Sequence, residues 1–135
     1  MKRRTSFLLA AAFALMSMAV PAVAHHSFAA QFDRSKPITL NGSVTKLEWI
    51  NPHARFFIDV KDAGGKVTNW EVELASPNGL MRRGWTRNSL KAGQTVTVNG
   101  WVAKDGSSVA NAQTVTLSDG KKVFAGSSAD DEPAK

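Results

Sequence analysis

Apolar and polar residues alternate in repeated short stretches from Pro37 onward, a pattern typical of half-buried β-strands. We expect five strands, with limits near Ile38–Trp49, Arg55–Lys61, Val67–Leu74, Thr95–Ala103 and Val109–Leu117. In the first strand the apolar residues change parity after Val44, which predicts a β-bulge or a tightly coiled strand. Asp119-Gly120 predicts a small final hairpin.

One short helix interrupts the strands. Ser76 is a suitable N-cap, Pro77 suits the first helical position, and Gly84 is placed to end the helix. The order strand, strand, strand, short helix, strand, strand is typical of a small five-stranded Greek-key barrel of the OB-fold type. We therefore predict an all-β fold of this type, with a small β-sandwich as the alternative.

The first 24 residues have the pattern of an export signal. A basic segment at Lys2, Arg3 and Arg4 precedes an apolar run from Phe7 to Val20, and Ala22-Val23-Ala24 is a small-residue cleavage pattern. We expect cleavage after Ala24 and a periplasmic protein, exported by the general secretory route, with the twin-arginine route as the alternative. The apolar run is shorter than the ~20 residues of a membrane-spanning helix, so no membrane span is expected.

The export signal, the strand pattern and the composition of the C-terminal residues together divide the chain into four predicted parts. These are a signal peptide (1–24), an N-terminal arm (25–36), an OB-like β-barrel domain (37–125) and a disordered tail (126–135). The tail is predicted from its Ser, Ala, Asp and Glu content.

Composition narrows the function classes. The chain has 135 residues and no cysteine, which excludes disulfides, thiolate metal sites and a cysteine nucleophile, and is too short for a large multidomain enzyme. Its formal charge of +6 falls to +3 without the predicted leader, which leaves 14 basic and 11 acidic residues. We therefore do not expect a nucleic-acid partner on the ground of charge.

The three histidines fall at two places only, His25-His26 at the predicted mature N-terminus and His53 in the turn before the second strand. An N-terminal histidine can chelate one metal ion through its α-amine and its imidazole, because both are readily deprotonated near neutral pH. His53 would supply a third nitrogen, and nitrogen-rich sites favour Cu(II). We predict a non-enzymatic copper-binding protein that uses His25, His53 and, as fourth or supporting group, His26; solvated histidines without a metal are the alternative.

A second hypothesis is an interaction module that binds an envelope protein or a glycan. Phe57 and Trp101 fall on the opposite parity to the apolar face of their strands, and Arg82 and Arg83 could form a basic patch. Glu71 and Glu73 share one face of the third strand, which we interpret as its solvated face. An enzyme is less favoured, because no serine or carboxylate stands at a spacing that indicates a triad.

Four motifs together resemble a family of small exported bacterial proteins of unknown function. They are His25-His26-Ser27-Phe28-Ala29, Asn51-Pro52-His53-Ala54, Ser76-Pro77-Asn78 and Arg82-Arg83-Gly84-Trp85-Thr86. The resemblance implies a periplasmic location and no particular activity. In its mature start the chain is also similar to periplasmic copper carriers whose processed chains begin with His.

Overall fold

The computed structural model describes residues 27–131, and they are mostly β, as predicted. Six strands and two short helices follow one another as α1 (Phe28–Gln31), β1 (Phe32–Glu48), β2 (Arg55–Lys61), β3 (Val67–Glu73), α2 (Pro77–Arg82), β4 (Thr95–Ala103), β5 (Val109–Leu117) and β6 (Lys122–Ala125). A 3-10 helix at Ser128–Asp131 ends the described chain.

Strands β1 to β5 form a closed ring of hydrogen-bonded pairings. The sheet order is β3-β2-β1-β4-β5-β6, and a parallel pairing of β3 with β5 joins the two sides. That pairing covers only three residue pairs, from Glu71↔Val109 to Glu73↔Asn111. The other pairings between neighbouring strands are antiparallel.

Strand β1 pairs first with β4 and then with β2, so it turns from one side of the ring to the other. Gly42 is paired with Val96 on β4 and with Val60 on β2. The register shifts between Val44 and Lys46, which confirms the predicted bulge.

The inward residues of the ring form the main hydrophobic core. Its largest fully buried apolar side chains are Trp85, Phe56, Ile58, Leu74, Leu80, Val44, Val72, Val96, Val98 and Val115. Helix α2 packs Leu80 into this core, and the Ser76 hydroxyl caps the helix by accepting a hydrogen bond from the Gly79 N–H at 3.1 Å. The predicted cap and the predicted end at Gly84, with φ of 88°, are both found.

Both ends of the described chain contact the ring. Residues 28–36, in the predicted N-terminal arm, form α1 and the start of β1, and Phe28 and Phe32 pack into a second, smaller hydrophobic cluster. In residues 126–131, part of the predicted tail, Ser127 and Ser128 are buried and hydrogen-bonded to Asn111. Among the helices of residues 27–131, none has the length and apolarity to cross a membrane.

Candidate functional site

Five outward-facing residues, one from each strand of the ring, form a continuous row across it. The paired neighbours run Trp101↔Asn111, Asn111↔Glu73, Glu73↔Arg55 and Arg55↔Glu48. We call these residues the outer row. It brings together polar side chains that lie up to 63 positions apart in the sequence.

Arg55 and Lys46 neutralise two of the carboxylates on this side of the ring. Arg55 Nε donates to Glu48 Oε2 at 2.6 Å and Arg55 Nη1 donates to Glu71 Oε1 at 3.1 Å. Lys46 Nζ donates to Glu48 Oε1 at 2.5 Å. The hydrogen bonds from Lys46 and Arg55 lower the pKa of Glu48, and those to Glu48 and Glu71 raise the pKa of Arg55.

Glu73 has a different set of partners. Its Oε1 lies 3.2 Å from His53 Nδ1 and accepts a hydrogen bond from Asn111 Nδ2 at 3.3 Å. Among the described residues no Lys or Arg forms an ion pair with Glu73. The side chains of His53 and Glu73 are 30% and 16% exposed. Glu73 is thus a mostly buried carboxylate beside a group that is positive only when protonated.

His53 lies in the loop between β1 and β2, where the Asn51-Pro52 peptide bond is cis. Two backbone hydrogen bonds hold the next residue to the end of β3, since Ala54 N donates to Ala75 O at 3.0 Å and Leu74 N donates to Ala54 O at 2.8 Å. The loop therefore places His53 against Glu73. A cleft of about 260 Å³ opens here, lined by Ile50, Asn51, Pro52, His53, Arg55, Glu71 and Glu73.

Helix α1 is held at the other end of the outer row by an aromatic contact. The Phe28 ring lies 5.3 Å from the Trp101 ring in an edge-on arrangement, and 5.3 Å from the Phe32 ring. Arg34 Cζ lies 4.7 Å from the centre of the Phe28 ring. The start of the described chain is thus held against β4, and β5 lies between β4 and the strand that carries Glu73.

His25 and His26 lie outside the described residues, so the predicted metal site is described only at His53. Within residues 27–131, no group of three or more His, Cys, Asp or Glu side chains is arranged to hold a metal ion. The structure brings His53 next to Glu73, which the sequence analysis had interpreted as part of a solvated sheet face.

The residues predicted as a second ligand surface do not lie side by side. Phe57 is half-buried on β2, where Lys46 Nζ lies 5.8 Å from its ring centre. Trp101 is half-buried on β4 and packs against Phe28, and β2 and β4 are not adjacent. Arg82 is exposed at the end of α2, whereas Arg83 Nη2 lies 3.8 Å from Asp130 Oδ2.

Sequence reasoning missed Asn111 as a site residue. Its position on the polar face of β5 carries no local signal, because its contacts with Glu73, Ser127 and Ser128 are all distant in sequence. The alternation on β3 does place Glu71 and Glu73 on one face of the strand. The pairing of β3 with β5 is also needed to bring Glu73 next to Asn111.

The comparison with known proteins identifies a family and no activity. Residues 12–112 match a family of unknown function, DUF6152, and the chain belongs to that family. No curated protein matches the chain.

Proposed function

We propose that this protein is an exported, periplasmic, non-enzymatic metal-binding protein whose favoured metal is copper. The ligands would be the α-amine and imidazole of His25, exposed by cleavage after Ala24, and the imidazole of His53. His26 would be a fourth ligand or a supporting group.

The observation that carries this proposal is the contact between His53 Nδ1 and Glu73 Oε1 at 3.2 Å. Metal-binding histidines commonly donate the N–H of one ring nitrogen to a carboxylate, which orients the ring and leaves the lone pair on the other nitrogen. In this arrangement Nε2 of His53 would be the ligand atom. Glu73 would increase the basicity of the ring.

The charges around the cleft support a bound cation. Glu48, Glu71 and Glu73 lie together with two basic residues, Lys46 and Arg55, whose ion pairs within the described part of the chain are with Glu48 and Glu71. A metal ion on His53 would compensate the remaining charge of Glu73.

The position of α1 makes the N-terminal ligands geometrically feasible. Trp101 and Glu73 are separated on the ring by one strand, a distance of about 10 Å at the usual strand spacing. Three residues precede Phe28 from His25 onward, and they can span up to about 10 Å. The length of this segment is thus comparable with the spacing between Trp101 and Glu73, which supports the proposal.

We also propose that the ring is a barrel of the OB-fold type. The pairing order β1-β2-β3-β5-β4 with a helix between β3 and β4 supports this assignment. OB folds bind ligands on the β2–β3 face and at the β1–β2 and β4–β5 loops, and the cleft at His53 occupies the corresponding location.

The test uses a chain that begins at His25, titrated with Cu(II) and followed by EPR and calorimetry. We expect nitrogen hyperfine structure, and binding that weakens at least about 100-fold in His53→Ala, because even supporting residues of metal sites cost about 10- to 100-fold. Acetylation of the His25 α-amine should weaken binding similarly, since it removes the six-membered chelate of the His25 amine and ring.

Two controls make this test specific. Amidation of the carboxylate of Lys135 and the variant Thr97→Ala, on the opposite side of the ring, should both leave binding like that of the unaltered chain. Equal affinity and equal EPR spectra in all five proteins would reject the proposal.

The interaction-module hypothesis receives less support from the geometry. Trp101 packs against Phe28 and Arg34, so its ring is engaged within the protein. Phe57 lies on another strand, beside Lys46. Binding to an envelope protein or a glycan stays a prediction from the sequence.

A further inference from the structure

Asn111 is a fully buried amide at an outward-facing position of β5. Its neighbours Ala110 and Ala112 point into the core, so alternation directs Asn111 to the outer side of the ring, yet it is 0% exposed. The segment that follows β6 covers it there. Burying an amide is unfavourable unless its polar atoms are hydrogen-bonded.

The polar atoms of the Asn111 side chain are satisfied in one orientation. Its Oδ1 accepts a hydrogen bond from Ser127 Oγ at 2.7 Å, and its Nδ2 donates to Ser128 Oγ and, at 3.3 Å, to Glu73 Oε1. The opposite orientation would turn the amide oxygen towards the Glu73 carboxylate and lose the last bond. The Glu73 carboxylate, which only accepts, thus selects this orientation, and the two serine hydroxyls hold the amide in place.

The covering segment is itself fixed at several points. Gly126 O accepts from Ala75 N at 2.6 Å, and Gly126 N donates to Gln113 O at 3.1 Å. Ala129 packs on the cluster that contains Phe28. The same short segment therefore contacts the partner of Glu73 and the residues that hold α1.

We propose that Asn111, held in place by Ser127 and Ser128, is a positioning residue that holds Glu73 against His53 and so fixes the Nδ1–H tautomer of His53. The metal ligand would then be Nε2, and in this respect the inference rests on the proposed function. The tautomer itself is a property of the metal-free protein and can be measured without copper.

The decisive measurement is ¹⁵N NMR of the histidine side chains in the metal-free chain that begins at His25. At about pH 8.5 an ordinary histidine, with a pKa near 6.5, is neutral and its two nitrogens report the tautomer. His53 is assigned by the loss of its signals in His53→Ala. We expect mainly the Nδ1–H form in the unaltered chain.

The variant Asn111→Asp removes the donor to Glu73 and places a second carboxyl beside it. We expect repulsion between the two carboxyl groups to displace Glu73 from His53. The Nδ1–H to Nε2–H ratio of His53 should then fall about tenfold, because a hydrogen bond to a charged group is worth at least that factor. The matched control is Asn99→Asp, which makes the same substitution on β4 at an amide that bonds to Thr39 and Thr114. It should leave the ratio unchanged.

The double variant Ser127→Ala/Ser128→Ala keeps a neutral amide at position 111 and is the second measurement. It should lower the Nδ1–H to Nε2–H ratio of His53 by a smaller factor than Asn111→Asp. If Asn111→Asp does not fold, this double variant alone tests the inference. An unchanged His53 tautomer in the folded variants would overturn the inference. A shifted tautomer, with copper binding absent from the unaltered chain, would support it and reject the proposed function instead.

Discussion

The outer side of the ring has two surfaces of opposite character. One, the charged surface, consists of Lys46, Glu48, Arg55, Glu71 and Glu73. The other, the neutral surface, spans β1, β4 and β5 and consists of Thr39, Asn41, Ser43, Thr95, Thr97, Asn99, Thr114 and Thr116. The two surfaces share β1 and cover the same core.

The two surfaces satisfy their polar groups in different ways. On the neutral surface the side chains bond across neighbouring strands, as Thr39 Oγ1 does to Asn99 Oδ1 at 2.8 Å and Thr97 Oγ1 to Asn41 Oδ1 at 2.7 Å. On the charged surface Glu73 depends on His53 and on the buried amide of Asn111. A self-contained polar surface needs only correct strand pairing, whereas the charged surface also needs a loop and the segment 126–131.

The largest expected effect is at Gly100 on β4, at the register shift between β4 and β5. A Cβ at this position would lie 1.9 Å from Asn111 O, so β5 must move away. We expect Gly100→Ala to lower the free energy of unfolding by about 3 kcal/mol, the upper part of the range for overpacking. Urea denaturation followed by tryptophan fluorescence measures this.

The displacement of β5 in Gly100→Ala should also change the candidate site, because Asn111 lies on β5. Gly100→Ala could instead keep the stability of the unaltered chain and its His53 NMR signals. That result would show that the close contact between β4 and β5 is not required for stability or for the candidate site. Gly93→Ala is the control, since its positive φ of 87° gives backbone strain without a contact to β5.

An intermediate effect is expected when Arg55 is replaced. Arg55→Ala leaves Glu71 without its cation and Glu48 with Lys46 alone, so we expect a loss of about 1 kcal/mol, given that Arg55 is partly exposed. The loss should shrink in high salt, which screens the repulsion among the carboxylates. Chemical denaturation with urea at two salt concentrations measures it.

Thr97→Ala is the matched substitution on the neutral surface. Its effect should stay within about 0.5 kcal/mol and should not change with salt, because no charge is involved. Equal salt dependence of the two variants would contradict the distinction between the surfaces.

The smallest expected effect concerns Glu48, whose pKa is lowered by hydrogen bonds from Lys46 and Arg55. A carboxylate with a lowered pKa stabilises the folded state above its ordinary pKa, near 4.5, and loses this contribution as the pH falls through the lowered value. Glu48→Gln should therefore have a lower Tm than the unaltered chain at neutral pH, and the two should converge in acid.

Thermal unfolding from about pH 7 down to below the lowered pKa measures this convergence. A Tm difference that persists unchanged into acid would mean that the charge of Glu48 is not the cause. Thr116→Val on the neutral surface serves as the control, since its effect on Tm should not vary with pH.

The elements that the sequence predicted well are those fixed by local signals. The limits of β2 and β4 follow from strict alternation next to turns, and those of α2 from Ser76, Pro77 and Gly84. The bulge after Val44 was visible as a change of parity. These features depend on residues close together in the chain.

The features that the sequence did not predict depend on distant contacts. Residues 33–36 have the composition of a loop, but Phe32 is buried against Ala103 and extends β1. Ser127 and Ser128 have the composition of a disordered tail, but Asn111 gives them buried partners. Glu73 could be placed on a polar face from parity, whereas its contact with His53 required the actual path of the loop.

The pairing of Glu73 with Asn111 belongs to the three-residue parallel ladder that closes the ring. Pairing segments 38 residues apart carries a loop-closure entropy cost that packing in the rest of the ring must offset. Completion of the site is thus coupled to the cooperative folding transition. Any ligand that requires this arrangement will raise the unfolding temperature by an amount that grows with the logarithm of its concentration above Kd, so thermal shift can serve as a general assay for it.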